Sequence, residues 1–330
     1  MAVSRQRRLR ETFRLIHAAP VKRRLRILKY PWQTAHDYEL AKLPHEFFYL
    51  SGTYRRWAKA HRPLPENIRW AASPAEVNAD VMILHLDQWS FHEPSKRALY
   101  LELKRWPGPK ITIIHGCNLV DGCTASEMAS LTADTWVVCN SSTAHRLWAL
   151  PKSRFILHGM SADEWPLTSY ARSEIVMVQP ATERHAATRN DEGIRSALER
   201  MPITWIGKDV SFRSFDEYRN YLGQCSIFFN PSFASANPRA RTEAMLMGLA
   251  VVTTASHGEA AYIRNGENGF CSNDFSELLS QIERLLHDPA SAKRLGAAGR
   301  ATAQQTFSSE RFLSEWETLL DEIISERGVA

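Results

Sequence analysis

Residues 227–254 read IFFNPSFASANPRARTEAMLMGLAVVTT, and the elements that this stretch predicts indicate the fold class. An apolar run at 227–229 ends at an Asn-Pro-Ser break signal and predicts a strand. Asn237-Pro238 then offers an N-cap and a proline suited to the first helical position. Gly248 stands where the helix ends, and the β-branched run 249–254 predicts a second strand. The stretch therefore predicts a strand–helix–strand unit.

The predicted helix carries charged side chains near its N-terminus. Its unpaired backbone N–H groups lie beside Arg239 and Arg241, a combination that attracts an anion, most naturally a phosphate. Glu243 follows about one and a half turns into the helix. A carboxylate there can accept hydrogen bonds from two ribose hydroxyls, as the acidic residue of a dinucleotide fold does. The same spacing fits equally well a surface helix whose charges are solvated.

Several segments in and after this unit form a recognisable pattern. They are Glu243-Ala244-Met245, Gly248, Val251-Val252-Thr253, His257-Gly258-Glu259 and Asn265-Gly266-Glu267-Asn268-Gly269-Phe270. Together they resemble the C-terminal signature of the retaining GT-B glycosyltransferases, glycosyltransferase family 4 in particular. The resemblance covers the C-terminal half of the chain well and the N-terminal half weakly.

The resemblance implies an α/β fold of the GT-B type, with two facing Rossmann-like domains, parallel sheets and an interdomain cleft. It places an acceptor domain at residues 1–165, with a basic arm at 1–24, and a nucleotide-sugar-binding domain at 166–308. A last helix at 309–330 is expected to cross back onto the first domain. A chain of 330 residues is long enough for two such domains.

The implied reaction transfers a sugar from a UDP- or GDP-linked donor to an acceptor hydroxyl with retention of configuration. Because no Asp-x-Asp motif is evident, we expect cations and backbone dipoles to replace a metal, and we expect no other cofactor. In the family a glutamate that contacts the donor sugar stands eight positions before Glu243, and Ser235 replaces it here. The expected donor-binding residues are Glu243, Ser235, Ala236, Asn237, Thr242, Gly207, Arg184 and Arg189.

Polar side chains follow the predicted strands of the N-terminal half. The loop 33–41 lacks the glycines that the family has there, so His36 and Asp37 are candidates for acceptor contact or base chemistry. A helix cap formed by Asp37 is an equally good interpretation. His115 follows the strand 110–114 and resembles the donor-facing histidine of the family. The expected catalytic residues are His115, Arg239, Lys208 and Asp37, and the expected acceptor-binding residues are His36, Trp32 and Asp87.

The composition is that of an ordinary globular chain with unevenly distributed charge. No apolar run approaches the ~20 residues of a membrane helix, and the five cysteines lack Cys-x-x-Cys spacing. Free thiols in a reducing cytosol fit this pattern, and no zinc site is indicated. The net charge of +5 comes largely from the first thirty residues. This stretch fits a solvated arm, a contact with anionic lipid or a contact with nucleic acid. We expect a cytoplasmic protein, free or peripheral at the inner face of the membrane.

The acceptor is open between two classes. One is a glycan or a lipid-linked glycan, and the other is DNA with a hydroxymethylated base. A flipped base would need stacking aromatics, which Trp32, Tyr38, Trp57 and Trp89 could supply, but the same side chains also favour membrane interfaces. Because Ser235 replaces the sugar-contacting glutamate, the alternative is a degenerate GT-B protein that binds a nucleotide or a glycan without transfer.

Overall fold

Two parallel β-sheets, each built from a different half of the chain, organise the structure. The predicted α/β arrangement with two facing parallel sheets is confirmed. The computed structural model describes residues 23–53, 56–87, 93–116, 124–172, 175–178, 192–232, 237–255 and 260–329.

The first sheet has seven strands within the described residues, in the order β3-β2-β1-β4-β5-β6-β7, and every pairing in it is parallel. Its strand order reverses direction between β1 and β4, and ligands of open α/β sheets bind at such a switch point, beyond the carboxyl ends of the strands. The strands are β1 (Arg26–Lys29), β2 (Glu46–Leu50), β3 (Ile68–Ala71), β4 (Val81–Leu86), β5 (Lys110–Ile114), β6 (Trp136–Cys139) and β7 (Ser153–Phe155).

Four α-helices of the described chain accompany this sheet. They are α1 (Thr34–Leu40), α2 (Pro94–Lys104), α3 (Ala125–Thr132) and α4 (Ser142–Trp148). A reciprocal capping box starts α3, in which the Thr124 hydroxyl accepts from the Glu127 N–H and the Glu127 carboxylate accepts from the Thr124 N–H. Buried apolar residues cover both faces of the sheet, so the central strands have continuous apolar sequences.

The second sheet has five described strands in the order β12-β11-β10-β8-β9, again all parallel. Its strands are β8 (Ile175–Val178), β9 (Ile203–Ile206), β10 (Ile227–Asn230), β11 (Ala250–Thr253) and β12 (Phe270–Cys271). Its helices are α5 (Glu192–Glu199), α6 (Phe215–Leu222), α7 (Arg239–Leu246), α8 (Phe275–His287) and α9 (Pro289–Thr306).

The strand–helix–strand unit predicted from residues 227–254 is β10, α7 and β11, with Ile227 paired to Ala250. Gly248 ends the helix at a φ of +81°, and a Cβ there would lie 2.7 Å from the Leu167 side chain. A residue with a side chain would therefore be strained by both the backbone and the packing. One detail of the prediction is wrong, because Pro238 is the N-cap and the helix starts at Arg239. The ψ of Pro238 is 116°, outside the helical range, so Asn237 lies one residue before the cap.

The last helix, α10 (Ser309–Val329), follows the second domain in sequence but packs on the first sheet. Apolar residues recur at helical spacing along one side of α10, and this side joins the core that contains β1, β2, β4 and β5. The buried residues of this side are Phe312, Trp316, Leu319, Leu320 and Ile323. At the crossing, the Arg311 guanidinium donates to the carbonyls of Leu157 and His158 at 3.0 and 3.3 Å.

We expect Trp316→Ala to lower the free energy of unfolding by about 3–5 kcal/mol, because it leaves a large cavity in the core of the first domain. The Trp316 side chain is fully buried there. Urea unfolding followed by circular dichroism would measure the loss. Ser314→Ala, at an exposed position of the same helix, is the control, and equal midpoints for the two variants would contradict the packing described here.

Candidate functional site

A cavity of about 290 Å³ lies between the two domains and contains Glu243. The first domain contributes Ala35 and the segment 60–62, and the second contributes the end of β9, the loop that follows it, α6 and α7. Gly207, one of the predicted donor-binding residues, also lines it, with a φ of +97°. The remaining lining residues are Ile206, Ser211, Phe212, Tyr218 and Ala240.

Glu243 is 5% exposed and both of its carboxylate oxygens are engaged. The Tyr218 hydroxyl donates to Oε2 at 2.7 Å, and the Arg62 guanidinium of the first domain donates to Oε1. Burial by itself would lower the pKa of Arg62, but Glu243, with smaller contributions from Tyr218 and Glu39, outweighs burial and the pKa is raised. Burial, reinforced by the Glu243 charge, raises the pKa of Tyr218 well above its ordinary value. The site therefore holds a paired carboxylate and guanidinium beside a neutral phenol.

Arg239 lies one helical turn before Glu243 and faces an adjoining cavity of about 470 Å³. Its two terminal nitrogens are buried and have no hydrogen-bond partner among the described residues. Burial lowers the pKa of Arg239 to about 10, although Glu39 opposes this shift. A buried cation without direct partners is costly, and an anion at this point would compensate it. The cavity is lined by Trp32, Gln33, Thr34, Ala35, Arg56, Ala58, His61 and Arg239.

The N-terminus of α7 adds to this positive region. Its N-cap is Pro238, which has no side-chain oxygen and makes no side-chain cap. The first backbone N–H groups of a helix have no partners within the helix, and they carry its partial positive charge. Arg241, the other cation predicted here, is fully buried and donates to the Thr253 hydroxyl at 3.4 Å. Arg239 alone of these two arginines lines a described cavity.

Aromatic and imidazole rings gather on the first-domain side, beyond the ends of β1, β4 and β5. The Nδ1 of His85 lies 2.9 Å from the Nε2 of His115. Trp32 stacks on both rings, with centroid distances of 5.4 Å to His85 and 5.8 Å to His115. His36 meets His115 edge-on at 5.4 Å, and burial together with the Arg239 charge lowers its pKa well below the ordinary value. His36 is therefore a neutral imidazole in this arrangement.

Asp37 holds the loop between β1 and α1 through two hydrogen bonds. The sequence predicts either a base that contacts the acceptor or a helix cap at this position. Asp37 is 1% exposed, and its Oδ1 accepts from the Lys29 ammonium at 2.5 Å. Its Oδ2 accepts from the backbone N–H of Trp32 at 3.1 Å. Burial lowers the pKa of Lys29, and the Asp37 charge opposes that shift. With both oxygens occupied, the carboxylate is placed to hold Trp32 and Lys29 rather than to accept a substrate proton.

We expect Asp37→Asn and Lys29→Met each to destabilise the protein by about 3–5 kcal/mol, because either change leaves the other partner buried without its counter-charge. The double variant should lose less than the sum of the two single losses. Unfolding free energies from urea titrations complete the cycle. Strictly additive losses would show that the two charges do not interact.

His158, which follows β7 in the first domain, contacts the second domain. Its Nε2 lies 3.1 Å from the hydroxyl of Thr242, a predicted donor-binding residue, and its ring stacks on Phe307 at 4.8 Å. Burial, followed by the charges of Arg239 and Arg241, lowers the pKa of His158 well below its usual value. This contact connects the interdomain segment to the second turn of α7.

The lowered pKa of His158 makes stability depend on pH. Below about pH 6.5 the unfolded chain binds a proton at this histidine that the folded protein resists, so stability is lost as the pH falls. We expect His158→Gln to flatten this dependence between about pH 6.5 and 5 by up to ~1.4 kcal/mol per pH unit. Urea titrations at several pH values give the slope. An unchanged slope would mean that the imidazole charges freely in the folded state.

The other predicted site residues are dispersed. Lys208 is exposed, and its ammonium lies 5.6 Å from the Trp205 ring without lining either described cavity. Asp87 accepts from the Lys96 ammonium at 3.3 Å. The four predictions Ser235, Ala236, Arg184 and Arg189 lie outside the described residues.

Sequence reasoning missed Arg62 and Tyr218, which line the cavity, and Glu39, whose charge acts on Arg239. Arg62 stands in a segment without a motif, and Tyr218 lies inside an ordinary helical pattern. Glu39 is fully buried on α1, its Oε2 accepts from the Lys42 ammonium at 2.7 Å, and burial raises its pKa. The helical spacing from Ala35 to Glu39 was the available signal, because it puts both on one side of α1.

Comparisons with known proteins agree with the predicted resemblance. Residues 164–288 match the family described as glycosyl transferases group 1. The capsular polysaccharide biosynthesis glycosyltransferase CapM of Staphylococcus aureus is 26% identical over 109 residues. That match covers 32% of this chain, and the chain spans 29% of the length of CapM.

Solved structures share the fold over nearly the whole chain. Anabaena HepE, in complex with UDP and glucose, has a TM-score of 0.65 and 13% identity, covering 90% of this chain and 100% of HepE. Sucrose-phosphate synthase from Thermosynechococcus elongatus has a TM-score of 0.66 and 14% identity, covering 92% and 100%. S. aureus TarM, solved with UDP, fondaparinux and α-GlcNAc-glycerol, has a TM-score of 0.54 and 15% identity, covering 73% and 55%. The fold is GT-B. None of the helices in the described ranges combines the length and the apolar character needed to span a membrane.

Proposed function

We propose that this chain, whose residues 164–288 match the group 1 glycosyltransferases, transfers a sugar from a nucleoside diphosphate sugar to an acceptor hydroxyl in the interdomain cleft. The observation that carries the proposal is that Arg239 and Glu243 lie on the same face of α7, one turn apart. The cavities in front of them share Ala35 and His61, so they adjoin. Four residues of helix span about 6 Å, which suits an anion and a ribose of one nucleotide.

In this proposal Glu243 holds the ribose hydroxyls, while Arg239 and the N-terminus of α7 hold the diphosphate. The bond between the anomeric carbon and the phosphate oxygen breaks, and the acceptor oxygen bonds to that carbon. Negative charge then grows on the departing diphosphate, beside a guanidinium that has no direct partner among the described residues. A preorganised charge of this kind commonly lowers a barrier by ~3–4 kcal/mol.

The relatives support a UDP-linked donor, since HepE and TarM have been solved with UDP, and a GDP-linked donor remains within the proposal. We include retention of configuration and independence from metal in the proposal because the sequence resembles the retaining GT-B glycosyltransferases. The proton of the acceptor hydroxyl would pass to the departing phosphate oxygen. Arg239 and the helix N-terminus supply positive charge where a metal would otherwise act.

We propose a glycan or a lipid-linked glycan as the acceptor. Trp32 follows β1 at the switch point of the first sheet, lines the cavity in front of Arg239, and stacks on His115. An indole face suits the apolar face of a sugar ring. CapM is described by its part in capsular polysaccharide biosynthesis, and TarM has been solved with a GlcNAc-glycerol.

We expect Arg239→Ala to lower the turnover of a nucleotide sugar by a factor of about 10²–10³. We expect Glu243→Ala to weaken nucleotide binding, because the ribose loses its acceptor. A thermal-shift panel of UDP- and GDP-sugars identifies the donor, since a ligand at 100-fold its dissociation constant stabilises by about 2.7 kcal/mol. Hydrolysis of the donor found in this way then measures turnover.

The matched controls are Arg294→Ala and Glu283→Ala, which remove exposed charges of the same types from α9 and α8 of the same domain. Both controls should bind and turn over the donor like the unmodified protein. If Glu243→Ala and Arg239→Ala do so as well, the site assignment is wrong. Binding without any turnover would instead favour the degenerate binding protein.

A further inference from the structure

Arg62 occupies the donor cavity from the first-domain side. The side chain is 2% exposed and donates through Nη2 to Glu243 and through Nη1 to the His61 carbonyl at 2.6 Å. Its guanidinium carbon lies 4.3 Å from the centre of the Phe215 ring and 5.1 Å from that of Trp165. Two aromatic faces and two acceptors therefore hold a cation between the domains.

The position of Arg62 conflicts with the proposed role of Glu243. A carboxylate that binds two neighbouring ribose hydroxyls needs free acceptor positions facing the cavity. Here Oε1 accepts from Arg62 and Oε2 accepts from Tyr218. Arg62 also lines the cavity itself, so it takes up space that a ribose would need. A ribose and the Arg62 guanidinium would therefore compete for the same carboxylate and for the same part of the cavity.

We propose that Arg62 is an autoinhibitory latch that fills the ribose position at Glu243 in the empty protein and must leave before a donor binds. The inference rests on the proposed assignment of Glu243 to the ribose. Because the pair joins residues 62 and 243 across the cleft, donor binding also breaks a contact between the domains.

The latch lowers the apparent affinity for nucleotide. When only a fraction of the molecules is open, the apparent dissociation constant is the intrinsic constant divided by that fraction. A latch closed in about 90% of molecules weakens binding about tenfold. A ligand that does not need Glu243 is free of this effect, and pyrophosphate is such a ligand because it lacks ribose.

Arg62→Met tests the latch. Methionine keeps an apolar side chain against Phe215 and Trp165 but cannot pair with Glu243. Isothermal titration calorimetry with UDP, GDP and pyrophosphate compares this variant with the unmodified protein. We expect the nucleotide that binds to bind about tenfold more tightly to the variant, while pyrophosphate binding does not tighten. Equal or weaker nucleotide binding overturns the latch, and weaker binding of both ligands identifies Arg62 as part of the anion site.

Lys59→Met is the matched control, because it removes an exposed positive charge from the same segment. It should not tighten nucleotide binding, and equal tightening in this variant would attribute the effect to net charge and overturn the latch. Thermal melting checks that the variants fold. If Arg62→Met does not fold, Arg62→Gln, which keeps a neutral hydrogen-bond donor, should change affinity in the same direction by a smaller factor, and no change overturns the proposal.

The outcome for the unmodified protein separates this inference from the proposed function. If nucleotide binding depends on Glu243 but does not tighten in Arg62→Met, the latch is wrong and the proposed function stands. Binding that appears only in Arg62→Met supports the latch in its strongest form. If neither the unmodified protein nor Arg62→Met binds a nucleotide, both the proposed function and the latch are wrong.

Discussion

Charges of both signs are buried between the two domains, and the rest of the structure depends on how they are paired. Glu243 and Arg62 compensate one another, and Glu39 is paired with Lys42. Arg239 has no direct partner among the described residues, although carboxylates lie near enough to influence it. In a medium of low dielectric constant, an imbalance of this kind favours an anionic ligand. The positive charge of Arg239 would therefore be compensated by an anionic ligand in the cleft.

Besides Arg62 and Glu39, the first domain brings a cluster of aromatic and imidazole rings to this charged region. Trp32, His85 and His115 form a stacked cluster, and His36 is held neutral by burial and by the nearby guanidinium. Asp37 and Lys29 form a buried salt bridge with each other. The two sides of the cleft thus differ in chemistry, since the α7 side carries Arg239 and Glu243 and the first-domain side adds stacked rings.

Local patterns made the C-terminal unit predictable from the sequence. Residues 227–254 combine a break signal, good helix formers, a helix-ending glycine and a β-branched strand, and each of these acts within a few residues. The capping box at Thr124 and Glu127 was equally local, and it would have predicted α3. Strand β3 was missed because its two central residues, Arg69 and Trp70, are exposed at the edge of the sheet and give no alternating pattern.

The site itself could be predicted only in part. Glu243 and Arg239 were found because they belong to one helix with a recognisable pattern. The pairing of Arg62 with Glu243 joins residues 181 positions apart and leaves no trace in local spacing. Asp37 was found as a polar residue after a strand, but its role depends on Lys29, the last residue of the preceding strand. Sequence reasoning therefore locates polar residues at a sheet edge more readily than it identifies their partners.

Because α10 packs on the first sheet, the first domain needs a segment that follows the second domain in sequence. The backbone passes between them twice, once after Met160 and once before Ser309, and Met160 pairs with Ser308 in an isolated bridge where these passages meet. A fragment that ends before residue 309 would expose the apolar surface on which Phe312 and Trp316 pack. The first domain is thus assembled from both ends of the described chain. Cutting the protein between its domains would yield a fragment that needs its missing helix added back in trans.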